Sequence, residues 1–137
     1  MVENTTTRQG QPAVEISIPA AGEFLSVVRT AAAALGAAAD FVIDDIEDLR
    51  IAVDEACSVL LSRAIPGTDL TCRFYVHAGA VTVESTAHVL DRTPPPRSGF
   101  AWTVLTSLTN EVDVSVHAPD RLVVTMTRVG SKTEACS

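Results

Sequence analysis

The chain has 137 residues, 47% of them hydrophobic and only 4% aromatic, with a formal charge of −7. That length carries one domain with an aliphatic core and excludes two ordinary ones. The acidic balance, with Arg and Lys scattered, excludes a nucleic-acid surface and leaves a basic protein partner open. No apolar run reaches the roughly 20 residues of a membrane span, and the polar N-terminus has no signal-peptide core, so a soluble, cytoplasmic protein is expected.

Residues 1–12 carry no periodicity and are expected to be disordered. Ala13-Val14-Glu15-Ile16-Ser17-Ile18 alternates as a strand does, and Pro19 ends it. Phe24, Leu25, Val27, Val28, Ala31, Ala32 and Leu35 have helical spacing, which predicts a helix over 22–35 with Gly36 as its stop.

The strongest pattern follows, from Asp44 to Arg63. Ile46, Leu49, Val53, Ala56, Cys57, Leu60 and Ala64 form one apolar stripe. Asp44, Asp45 and Asp48 lie near the start and Arg63 near the end, an order that suits the helix dipole. Pro66-Gly67 stops the helix. Glu55 falls roughly opposite the stripe at about 100° per residue, yet Ile51, Ala52 and Val59 flank it. Two readings follow: an ordinary surface acid, or a carboxylate on a second buried side, where apolar surroundings disfavour its charge and suit it to act as a base.

Leu70-Cys72-Phe74-Val76 alternates with polar neighbours, a turn follows at Ala78-Gly79-Ala80, and Val81-Val83-Ser85 alternates in turn. This predicts a β-hairpin with one buried face. Residues 87–99 lose all period and contain Pro94-Pro95-Pro96, a semi-rigid extended segment. Phe100 to Leu108 predicts a short helix. Strands are expected over 112–116 and 121–128, joined at Ala118-Pro119-Asp120. Residues 129–137 form a polar, flexible tail. One domain over 13–128 is expected. Its order, β-α-α-β-β-loop-α-β-β, indicates an α+β two-layer sandwich: a mixed, mostly antiparallel sheet with helices on one face.

The three cysteines form no C-x-x-C pair. Cys57 on the helix stripe and Cys72 on an inward strand position read as buried free thiols, while Cys136 lies in the tail. His77, His88 and His117 are far apart, and no metal-ligand spacing occurs.

Asp48-Leu49-Arg50-Ile51-Ala52-Val53-Asp54-Glu55-Ala56-Cys57-Ser58 resembles the first ATP-binding box of the RsbW-like and SpoIIAB-like anti-sigma-factor kinases. These are members of the GHKL (Bergerat-fold) ATPases, whose pattern there is apolar-Ala-Val-x-Glu-Ala-x-Thr-Asn. Phe100 to Val114 is similar to the family's short helix and following Glu-Val strand. The resemblance covers about residues 13–128 and is nearest to the actinobacterial stress anti-sigma factors resembling UsfX. It implies a homodimer that sequesters an alternative RNA polymerase sigma factor and is released by a STAS-type anti-anti-sigma protein. Active members phosphorylate that antagonist on serine with Mg-ATP, and Glu55 matches their general base.

The departures from the family are chemical. The Mg-binding Asn falls at Val59, which offers no oxygen to a cation that requires oxygen ligands. Ser58 is the nearest hydroxyl, about 100° around the helix. The adenine-reading Asp would be Asp91, without the glycines that follow it in the family, and the Gly-rich lid is reduced to Ser98-Gly99. The resemblance therefore implies Glu55, Ser58, Asp91 and Gly99 as nucleotide positions in a degraded ATP and Mg site. Arg29, Arg92 and Arg97 are candidate partner contacts, since guanidinium groups pair with acidic partner groups. A serine/threonine kinase and a small-ligand binder with 87–99 as its lid are the competing readings.

Overall fold

The computed structural model describes residues 10–131. The polar N-terminal nine residues, the end of the tail and Cys136 lie outside them. The elements are β1 (Val14–Pro19), a 3-10 turn (Gly22–Phe24), α1 (Leu25–Ala38), α2 (Ile43–Leu61), β2 (Asp69–His77), β3 (Ala80–His88), α3 (Phe100–Leu108), β4 (Glu111–His117) and β5 (Arg121–Val129).

The five strands form one sheet in the order β1-β2-β3-β5-β4, and every neighbouring pair is antiparallel. The α+β arrangement expected from the sequence is observed, and its mostly antiparallel sheet is wholly antiparallel among the described strands. Alternation sets the layering. In β2, Leu70, Cys72, Phe74 and Val76 are buried while Thr71, Arg73 and Tyr75 are half-exposed; in β3, Val81, Val83, Ser85 and Ala87 are buried. These inward positions meet the buried stripes of α1 and α2 in one core. Burial of each large member, such as Leu49, Phe74 or Leu122, contributes roughly 1.5–3 kcal/mol.

The first helix does not stop at Gly36. It runs on to Ala38, and Asp40 takes the left-handed conformation (φ 67°) that closes it. Phe41 N–H donates to the Gly36 carbonyl at 3.0 Å and Asp40 N–H to the Ala37 carbonyl at 3.0 Å, the paired bonds of a Schellman cap. Gly36 serves the helix crossing instead. A Cβ there would lie 3.2 Å from Ile46 Cγ1 and 3.3 Å from Phe41 Cδ2, so its missing side chain lets α2 approach.

α2 buries Leu49, Ala52, Val53, Ala56, Cys57 and Leu60, close to the expected stripe, with Ile46 half-buried at its margin. It also buries Asp45, which the sequence presents as one of several acids at a helix start. Asp45 Oδ1 accepts from Arg128 at 2.6 Å, and Oδ2 accepts from the N–H and the hydroxyl of Ser131, each at 2.8 Å. Arg128 also donates to the Leu108 carbonyl at 2.7 Å and pairs with Asp48 at 3.1 Å. The N-terminal end of α2 is thereby locked to the end of β5. Burial pushes the Asp45 carboxyl up, but Arg128 and Ser131 outweigh it and hold the group below its ordinary value.

β3 extends past the expected end of its pattern, and Val89 bridges Ala64 after α2. The aperiodic connection is therefore 90–99, shorter at its start than the sequence indicates.

Candidate functional site

Glu55 and Val59 are one turn apart on α2, so they share a face of the helix. Glu55 is half-buried, and its side chain makes no hydrogen bond or ion pair with any described residue. Ala52, one of its expected apolar neighbours, is fully buried, whereas Ile51 is exposed. The helix is thus covered on part of its second side only.

Val59 lines a cleft of about 210 Å³. The rigid roof is Pro95 and Pro96, one wall is Trp102 and Leu105 of α3, and Val114 and Val124 form the floor from β4 and β5. Ser98 is the one hydroxyl-bearing residue of the lining, and no charged side chain belongs to it. Such a surface offers van der Waals contact and exclusion of water. It offers nothing to triphosphate oxygens or to a hard cation, which need N–H groups, cationic side chains and oxygen ligands.

The connection 90–99 is tied down along its length. Arg63 at the end of α2 donates to the Thr93 carbonyl. Asp91 Oδ1 accepts from Thr93 N–H at 2.9 Å, a local turn whose hydrogen bonds hold the exposed carboxyl below its ordinary value. Arg97 donates to Asp113 at 2.7 Å and to the Val114 carbonyl at 3.3 Å, and its guanidinium lies 5.1 Å from the Trp102 ring centroid. Gly99 turns the chain into α3 with φ 92°, a conformation that favours glycine, and its carbonyl accepts both the N–H and the hydroxyl of Thr103.

Of the residues singled out from the sequence, Glu55 and Ser58 stand one turn apart on α2, while Asp91 and Gly99 lie near the two ends of the connection 90–99. Glu55, Ser58, Asp91 and Gly99 do not line the cleft, and Ser58 is exposed. Arg29 on α1 pairs with Asp54, the residue beside Glu55, at 2.6 Å. Arg97 is engaged with Asp113, while Arg92 is exposed and has no bonded partner among the described residues. Among the described residues, no group of three His, Cys, Asp or Glu is placed to hold a metal ion. At Val59, where the resemblance implies a metal ligand, the side chain offers no oxygen.

Two arrangements were not read from the sequence. One is the Asp45–Arg128–Ser131 lock, whose partners lie more than 80 residues apart. The other is the meeting of Cys57 and Cys72, both buried and free, with sulfurs 3.9 Å apart. Its signal was available: both cysteines occupy inward positions of elements that pack together, and Ser85 interrupts the inward apolar run of β3.

No family model matches the chain. A curated relative named anti-sigma-F factor RsbW, from Mycobacterium tuberculosis, is 36% identical over 107 residues, 77% of this chain and 62% of the relative. Proteins named serine-protein kinase RsbW from Bacillus cereus and Bacillus thuringiensis are 37% identical over 51 residues, 37% of this chain and 32% of each relative. The chain thus spans less than two thirds of the length of the relatives it matches. Among the described residues, no helix is long and apolar enough to cross a membrane.

Proposed function

Because this chain is RsbW-like in sequence, we propose that it is an anti-sigma factor. It holds an alternative, stress-class RNA polymerase sigma factor away from the polymerase, and a STAS-type anti-anti-sigma protein competes for the same surface and releases it. Residues 13–128 act as one GHKL-like domain, working as a homodimer in the cytoplasm. The observation that carries this reading over catalysis is the apolar cleft at Val59. Phosphoryl transfer depends on positioning and metal electrostatics, and this lining supplies neither, whereas holding a protein partner requires only a stable fold and a surface.

An acidic chain, −7 overall, favours encounter with a basic partner surface. Arg92, exposed and unbonded among the described residues, is the guanidinium most available to a partner carboxylate. Arg29 and Arg97 would exchange Asp54 and Asp113 for such a group. Co-purification with each alternative sigma factor of the same cell tests the reading. A stable complex with one of them is expected, and failure with all of them rejects it.

The second reading, a serine/threonine kinase acting on the anti-anti-sigma protein with Mg-ATP, is favoured by Glu55. That carboxylate is half-buried and unpaired among the described residues, as an available base must be. Calorimetry with Mg-ATP separates the two. No heat at millimolar nucleotide is expected; binding, followed by phosphate on a STAS serine, would establish the kinase instead.

A further inference from the structure

Cys57 comes from the C-terminal half of α2 and Cys72 from near the centre of β2, and both side chains are fully buried. Their sulfurs are in contact at 3.9 Å, and the Ser85 hydroxyl on β3 donates to Cys72 Sγ at 3.4 Å. Two thiols and a hydroxyl thus form one cluster inside an otherwise aliphatic core. Packing alone explains each thiol singly, since free cysteine behaves as a small apolar residue. It does not explain why the two meet with a hydroxyl aimed at one of them.

We propose that this cluster is an oxidation site, at which Cys57 and Cys72 join as an intramolecular disulfide when the chain meets a hydroperoxide. The sulfurs need to close by about 1.9 Å to reach the roughly 2.05 Å bond. The Cys72 sulfur attacks one peroxide oxygen as its thiol proton leaves, the O–O bond breaks, and the other oxygen departs as hydroxide and takes up that proton to become water. Cys57 sulfur then attacks the resulting sulfenic sulfur, the S–O bond breaks, and the departing hydroxide takes the Cys57 proton. Two thiols and one hydrogen peroxide thus give one disulfide and two waters.

The roles follow from Ser85, whose hydroxyl donates to Cys72 and so favours its thiolate. Contact with Cys57 lowers the Cys72 thiol below its ordinary value; burial opposes this and Ser85 assists it. Contact with Cys72 and burial push the Cys57 thiol well up, so Cys57 is the resolving partner. Complete burial selects small, uncharged oxidants over bulky disulfides. In a reducing compartment the dithiol is the resting state, and the disulfide is returned to it by thiol exchange after local opening.

The consequence falls on α2. Cys57 lies two residues beyond Glu55, so the bond fixes that helix to β2 beside the candidate site.

The full chain is treated with hydrogen peroxide, denatured, alkylated and digested. Free thiols are expected to fall from the three of the sequence to one, with a joined peptide pair holding Cys57 and Cys72. The thermal midpoint is expected to rise and to return on adding dithiothreitol. Alkylation of both residues after treatment overturns the proposal, as does a bond from either one to Cys136 or conversion of Cys72 to sulfinic acid with no joined pair. Because the wild-type chain is mapped, no outcome depends on whether a core variant folds.

Discussion

At its N-terminal end α2 is fastened by buried charge; at its C-terminal end it meets apolar surface and a roof held from outside. Asp45 is 2% exposed and engaged by Arg128 and Ser131, so its removal leaves the largely buried Arg128 guanidinium with Asp48 and the Leu108 carbonyl as its remaining partners. At Val59 the neighbours are Pro95, Pro96 and Trp102, and the tethers above them, Arg97 to Asp113 and Arg63 to Thr93, are solvent-facing. Breaking a buried pair costs several kcal/mol because the remaining charge is uncompensated, whereas exposed pairs contribute little. The first end therefore fixes the helix in the fold, and the second leaves a place where the surface can open.

The contrast breaks hardest at Asp45. Asp45→Ala is expected to destabilise the fold by about 1.5–3 kcal/mol or more in denaturant unfolding, the loss of its charged hydrogen bonds with Asp48 still beside Arg128. A loss under about 1 kcal/mol would mean that the lock is no stronger than a surface pair. The acid side follows from linkage. A carboxyl held below its ordinary value contributes stability that is full above pH 3.8 and is lost as pH falls through the folded value. The stability gap between wild type and Asp45→Asn should therefore close only below pH 3.8, and a gap that closes near neutrality contradicts the assignment.

Gly130→Ala probes the same end by shape rather than charge. Its Cβ would lie 2.8 Å from Phe41 Cδ1 and 3.0 Å from Cε1, against a ring held just before α2. Overpacking of this kind costs roughly 1–3 kcal/mol, readable as a lower unfolding midpoint.

The sheet and both long helices were legible because each buries one face, and period alone reports that. Val81-x-Val83-x-Ser85-x-Ala87 shows its inward side without help from any other segment. The Asp45 lock was not legible, since three aspartates share that helix start and only the path of β5 selects one. Gly36 misled for a related reason: glycine ends helices and also admits neighbouring helices, and its neighbours Ile46 and Leu49 decide which. At the candidate site, the chemistry missing at Val59 was visible in the sequence. That Arg29 and Arg97 already hold Asp54 and Asp113 depended on tertiary placement.

The other end of α2 should respond weakly in stability and strongly in mobility. Arg97→Ala is expected to cost at most about 1 kcal/mol. Trp102, the sole tryptophan, should nevertheless report a more solvated ring by a red-shifted emission. An unchanged spectrum would show that the roof holds without its tether. The smallest effect is expected from Val59→Asn. One amide oxygen in an otherwise apolar lining gives a cation a single ligand of the several it needs, so titration with Mg-ATP should remain without heat, and measurable binding would mean that the side chain alone had closed the site.

The strand order has a consequence for the path of the chain. With β5 antiparallel to both β3 and β4 and lying between them, β3 and β4 run in the same direction. The connection 90–99 and α3 thus form a crossover, the kind parallel strands require, inside a sheet otherwise built from antiparallel neighbours. It must carry the chain past one occupied position, two strand spacings or about 9.6 Å. Three extended prolines alone reach about 9 Å at about 3.1 Å per residue. Pro94, Pro95 and Pro96 stand in the first half of that crossover, so a stiff extended segment leads into the helix that completes it.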